Sequence, residues 1–137
     1  MNERVIRILE FDKIIRKLTG MCASELGKEL SEKLRPQKDA ALISRMLKET
    51  TDAVDFILRR GSPPLGGLHD IRGSLRRVEL GSTLNPGELL RISDTLRAVR
   101  NLKNYSAIAD KQENEDSNYI SNLIASLEPN KRIEDKI

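Results

Sequence analysis

Gly61-Ser62-Pro63-Pro64-Leu65-Gly66-Gly67 interrupts a chain that otherwise follows helical spacing almost throughout. Two prolines remove two amide donors and fix two φ angles, and three glycines open conformations closed to other residues. A helix arriving at Arg60 therefore has to stop here. The segment reads as a built corner made of Gly61, Pro63, Pro64, Gly66 and Gly67, with long amphipathic helices on both sides. Before it, Ile43, Leu47, Thr50, Val54 and Ile57 recur at intervals of four and three, predicting a helix over about 40–59 with that stripe inward and Asp39 as its cap. After it, Leu89, Ile92, Leu96, Val99 and Leu102 repeat the pattern. Asn85-Pro86-Gly87-Glu88 supplies a capping side chain, a proline at the first helical position and an acid at the third. A helix from Pro86 to about Ala109 would span roughly 36 Å, longer than the core of a small domain is wide, so it is expected to connect parts.

Further out the pattern is shorter-ranged. Leu9, Phe11, Ile14, Ile15 and Leu18 predict a helix ending near Gly20, and Cys22, Leu26, Leu30 and Leu34 predict a second one stopped by Pro36. A short helix from about Asp70 to Leu80 would turn Ile71, Leu75 and Val78 inward and end at Gly81. Residues 110–118 turn polar and acidic and read as a loop, and an apolar pattern resumes over 119–127. No strand is needed. The expectation is an all-α, irregular helical bundle with one long connecting helix, folded as a single domain over residues 1–137.

Composition agrees. The 137 residues are 3% aromatic and 33% charged, with no Trp, so the interior must come from aliphatic side chains. A chain of this length buries roughly two thirds of its unfolded surface and needs no metal or disulfide to fold. The lone Cys22 fits a reducing compartment and reads as a small buried apolar residue. No apolar run reaches the roughly 20 residues of a membrane span, and the charged N-terminus lacks a signal-peptide core, so a cytoplasmic protein without membrane contact is expected.

Charge is uneven along the chain. Residues 59–103 carry nine basic and four acidic side chains, a balance of +5. Arg59, Arg60, Arg72, Arg76 and Arg77 are the candidate nucleic-acid contacts in this stretch, joined by Arg91, Arg97 and Arg100 along the long helix, since a guanidinium fork matches phosphate geometry. The competing reading has these arginines solvating helix faces and pairing with Asp70, Glu79 and Asp94. Catalytic constellations are lacking: there is one His and one Cys, and the acids are scattered. His69 beside Asp70 reads as a structural or solvent-facing histidine rather than an oriented base. Gly66-Gly67 leads into Leu68, with no Gly-Lys-Ser/Thr to cradle a phosphate, so no catalytic, cofactor or metal residue is expected in this segment.

Three motifs in order carry a resemblance. Leu9-Glu10-Phe11-Asp12-Lys13-Ile14, then Ser62-Pro63-Pro64-Leu65-Gly66-Gly67 with Asp70-Ile71-Arg72, then Glu88-Leu89-Leu90 to Asp94-Thr95-Leu96-Arg97 resemble the N-terminus of the MutS-two family across the whole chain. Members of that family are similar to bacterial mismatch-repair MutS proteins but begin at the helical core and lever, omitting the mismatch-reading domain. No Phe-x-Glu wedge occurs here, since Phe11 and Phe56 are followed by Asp12-Lys13 and Ile57-Leu58. The resemblance implies a parent that is a homodimeric ABC-type ATPase using ATP and Mg, with a nucleic-acid clamp and an Smr endonuclease domain. That parent is linked to suppression of recombination and, in some bacteria, to splitting collided ribosomes. This chain contains neither Walker motifs nor an Smr signature, and it stops at Ile137 inside a pattern begun by Lys131-Arg132-Ile133. It reads as an excised N-terminal core and lever segment, partnered by the rest of its own chain and meeting DNA or the ribosome through the parent. The alternative is a free-standing basic helical module that binds nucleic acid.

Overall fold

In the computed structural model, residues 8–109 and 119–137 are described, and among them every regular element is an α-helix. The expected acidic loop over 110–118 lies outside the described residues. In chain order the helices are α1 (Phe11–Met21), α2 (Glu25–Glu32), α3 (Ala40–Arg60), α4 (Arg72–Glu79), α5 (Pro86–Ala109), α6 (Tyr119–Ala125) and α7 (Lys131–Glu134).

Local chemistry sets their ends. Asp39 accepts the backbone N–H groups of Ala41 and Leu42 and so satisfies two orphan donors at the start of α3. At α5 the Glu88 N–H donates to Asn85 Oδ1 while Glu88 Oε2 accepts the Asn85 N–H, both at 2.9 Å, a reciprocal capping box. Ser24 caps α2 through the Gly27 N–H. Past α4, Gly81 at φ +79 lets its own N–H reach Val78 O while the Ser82 N–H reaches Arg77 O, a Schellman ending.

Helix α5 is the spine. It packs against α6 and α7, and α3 packs against α6. Phe56 of α3, Leu102 of α5 and Ile124 of α6 are buried together, with Leu65, Leu68, Tyr105, Ile120 and Leu127 packed around them. Leu65 and Leu68 thus plug the interior. Phe56 and Tyr105 meet edge to face at 5.7 Å between ring centroids, and the Arg60 guanidinium lies 4.6 Å over the Phe56 ring. Helix α5 also buries Ile92, Ser93, Ala98 and Ser106, and the three small residues let neighbours approach it closely on more than one side.

The faces differ from the sequence expectation in four helices. On α3 the inward positions are Leu42, Met46, Glu49, Ala53, Phe56 and Arg60, whereas Ile43, Leu47, Val54 and Ile57 are exposed, Leu47 by 63%. The true face lies one residue, or about 100°, away from the expected stripe. Phe56 is the reason: its ring has more area to bury than any aliphatic neighbour, and the helix rotates to seat it. On α4, Leu75 and Val78 remain about half exposed rather than turning inward. In the α1–α2 pair the seam is made by Thr19 and Ser31, whose hydroxyls meet at 2.7 Å, with Ile15 half-buried beside it. Ile14, Leu18, Met21, Leu26 and Leu30 stay on the outside. Cys22 is half-buried in the turn and donates its thiol to Leu18 O.

Candidate functional site

The corner between α3 and α4 is anchored at both ends. The Gly61 N–H closes the last turn of α3 on Ile57 O at 2.8 Å, and its φ of +78 with ψ of −175 is a conformation essentially restricted to glycine. Tyr105 Oη donates to Gly61 O at 2.6 Å, so α5 holds the start of the corner. Between Pro63 and Leu65 the chain tightens further, the Leu65 N–H reaching Pro63 O at 2.9 Å. At the far end Gly67 has φ +85, and a Cβ placed there would meet the Asp94 carbonyl oxygen at 3.3 Å. Gly66 has neither constraint: its φ is not positive and the space where its Cβ would sit is open. Thr95 ties the exit down, accepting the His69 N–H at 3.2 Å while its hydroxyl donates to Arg91 O. The His69 ring faces Asp94, with Nε2 3.9 Å from Oδ2, and not its sequence neighbour Asp70.

The five candidate arginines divide between two helices. Arg59 and Arg60 occupy the last turn of α3, where positive charge complements the helix dipole. Arg72, Arg76 and Arg77 lie on α4. Arg77 Nη1 bonds Glu88 Oε1 at 2.6 Å and its Nη2 reaches Thr83 O, joining α4 to the capping box of α5. Arg72 grips Asp70 with Nε at 2.9 Å and Nη2 at 2.6 Å, and the same Nη2 donates to Glu29 of α2. Arg76 is exposed and makes no ion pair with a described residue. The competing sequence reading named Asp70, Glu79 and Asp94 as partners. Asp70 takes Arg72 and Asp94 takes Arg97 at 3.4 Å, while the remaining pairs use Glu25, Glu29, Glu88 and Glu134.

Two ionic clusters result. In the first, Arg72 joins Asp70 to Glu29, and Arg91 of α5 reaches Glu25 Oε2 at 3.1 Å, with the Asp70 N–H donating to that same oxygen. Hydrogen bonds from Arg72 hold the Asp70 carboxyl down to about 2, and Lys33 first and then Arg72 lower Glu29. The two carboxylates in turn raise Arg72. In the second, Arg100 clamps Glu134 with bonds of 3.0 and 2.7 Å, and Arg97 lies 3.7 Å away, fixing α7 to α5. The Arg100 bonds lower Glu134, which raises Arg100 in return. Glu25 and Glu29 had no role in the sequence reading of the site, where Arg91 figured only as a basic residue along the long helix. Their pairings join residues 43 and 66 positions apart, and no local spacing signals them.

Of the corner glycines, Gly67 lies against the backbone carbonyl and Cβ of Asp94 on α5, whereas Gly61 and Gly66 face open space. Among the described residues no group of three His, Cys, Asp or Glu side chains is placed to hold a metal ion. No helix among them is long and apolar enough to cross a membrane.

Among the described residues the regular structure is entirely helical, and Arg72, Arg77, Arg91, Arg97 and Arg100 tie one helix to another. No protein-family model matches the chain. Curated proteins do: endonuclease MutS2 of Acetivibrio thermocellus is 58% identical over all 137 residues, and that of Ruminiclostridium cellulolyticum is 54% identical over the same span. Each alignment covers 100% of this chain and 17% of the relative. A putative endonuclease MutS2 of Bacillus subtilis is 44% identical over 105 residues, 77% of this chain and 13% of the relative. The chain belongs to the MutS2 family. It spans 17% of the length of the curated relatives it matches end to end.

Proposed function

We propose that this chain is a non-catalytic helical core and lever segment of a MutS-like ATPase and endonuclease that acts on DNA in the cytoplasm. One observation carries the reading: relatives named endonuclease MutS2 align with every residue of this chain while extending far beyond it. ATP and Mg, homodimer formation and nuclease chemistry are assigned to the remainder of that longer protein. The segment's task is mechanical. Helices move as rigid bodies because their backbone hydrogen bonds are internal, and α5 is tied to the corner, to α6 and to α7, so displacement of one end is carried to the other. Suppression of recombination is the parent's expected role, and collided ribosomes are a second target of the same clamp.

The test uses the longer protein carrying Gly67→Ala. Loss of stimulation of ATP hydrolysis by branched DNA, with the unstimulated rate intact, supports the lever. Unchanged stimulation in a variant shown to be destabilised removes it. ATP turnover or DNA cleavage by the purified 137-residue chain overturns the non-catalytic assignment, and stimulation by ribosomes but not DNA moves the target.

A further inference from the structure

The α1–α2 pair is held to the rest of the molecule by charge. Its outward apolar side chains, Ile14, Leu18, Met21, Leu26 and Leu30, do not supply a buried seam to α3, α4 or α5. Among the described residues, the polar links across that junction come from two carboxylates of α2: Glu29 to Arg72, and Glu25 to Arg91 and to the Asp70 N–H. Glu25, Arg72 and Arg91 are exposed to solvent, with Arg72 57% and Arg91 49% accessible, and Glu29 is half-buried.

We infer that Glu25 and Glu29 act as an intramolecular block on a phosphate-binding arginine pair, Arg72 and Arg91, so that nucleic-acid phosphates engage this face when the α1–α2 pair swings away. The carboxylates hold the positions a phosphate would take, since both ligands offer paired oxygens to a guanidinium fork. The charge balance runs the same way. Asp70, Arg72 and Arg91 sum to +1, and Glu25, Glu29 and Lys33, which pairs with Glu29, sum to −1, leaving the closed cluster neutral. Opening restores the positive charge beside Arg76, which makes no ion pair with a described residue. Solvent-exposed ion pairs are weak enough for competing phosphates to displace them, which a buried apolar seam would not allow. The inference rests on the reading that this segment meets nucleic acid and adds how that meeting is controlled.

The experiment compares wild type with Glu25→Gln/Glu29→Gln in the 137-residue chain, using binding of a fluorescent DNA duplex and of heparin at low and high salt. A control, Asp55→Asn/Glu128→Gln, changes net charge equally at exposed positions on α3 and beyond α6, outside the cluster. Unblocking should tighten DNA binding by about tenfold and steepen its salt dependence by about 1.8 in log–log slope, as two added phosphate contacts require. Adding Arg72→Gln/Arg91→Gln should abolish the gain, and circular dichroism should show unchanged helix content in each variant. A gain for heparin without one for DNA keeps the block and sinks the nucleic-acid reading. No gain for either polyanion, an equal gain in the charge control, or a gain that survives loss of both arginines overturns the block.

Discussion

Two adjacent glycines should respond to the same substitution with opposite signs. In Gly67→Ala the new Cβ has to accept φ +85, a conformation that costs an L-residue about 1–2 kcal/mol, and it meets the Asp94 carbonyl oxygen at 3.3 Å. That oxygen belongs to the backbone of α5 beside buried Ser93 and cannot give way cheaply, adding about 1 kcal/mol of overpacking. Reduced freedom of the unfolded chain returns about 0.4–1 kcal/mol, leaving a net loss near ~2 kcal/mol. Gly66→Ala meets open space at an ordinary φ and keeps only the unfolded-state gain of about 0.4–1 kcal/mol. At about 3–4 °C per kcal/mol for a chain of this size, thermal melting followed at 222 nm should fall by about 6–8 °C for Gly67→Ala and rise by about 1–4 °C for Gly66→Ala. Equal shifts for the two variants, or a Gly67→Ala melt indistinguishable from wild type, would refute the account of the corner.

Phe56→Ala should cost about 3–5 kcal/mol in guanidinium denaturation, because the ring is 3% exposed and supports both Tyr105 and Arg60, whereas Leu47→Ala on the exposed stripe should cost under about 1 kcal/mol. Asn85→Ala should cost about 1 kcal/mol by removing half of the capping box of α5, with Asn85→Asp close to neutral. Asp70 and Glu29 have folded-state values below their ordinary 3.8 and 4.5, so their contribution is present above those values and is lost as pH falls through the folded ones, about 2 for Asp70. A fluorescent label on the lone Cys22, paired with an acceptor on α5, should therefore report release of the α1–α2 pair as pH falls below about 4.5, where Glu29 begins to take up its proton, and no change between pH 6 and 8. Release near neutrality would contradict the ionic clasp.

Helix positions were legible because their determinants are local. Asp39, Asn85 with Glu88, and Gly81 each act within four residues, and the prolines and glycines of 61–67 act on their own backbone, so α3, α4 and α5 begin and end close to the expected places. Which side of each helix turns inward was not legible to the same degree. The stripe of Ile43, Leu47, Val54 and Ile57 is as regular as the face that is used, and the choice between them was made by Phe56 finding Leu102, Tyr105 and Ile124. The ionic clusters were hidden for the same reason. Glu25, Glu29 and Glu134 look like ordinary surface acids until Arg91, Arg72 and Arg100 arrive from distant parts of the chain.

The amino-acid order alone therefore determined an α-helical chain, the stops between its helices and the need for a glycine-proline bend after Arg60, since hydrogen-bond capping and allowed φ values are settled within a few residues. Tertiary structure alone decided the rotation of α3 about its axis, the central place of α5, and the commitment of Arg72 and Arg91 to carboxylates on α2. Those outcomes depend on which large side chain wins the interior and on which charges meet once it has, and both are properties of the assembled helices.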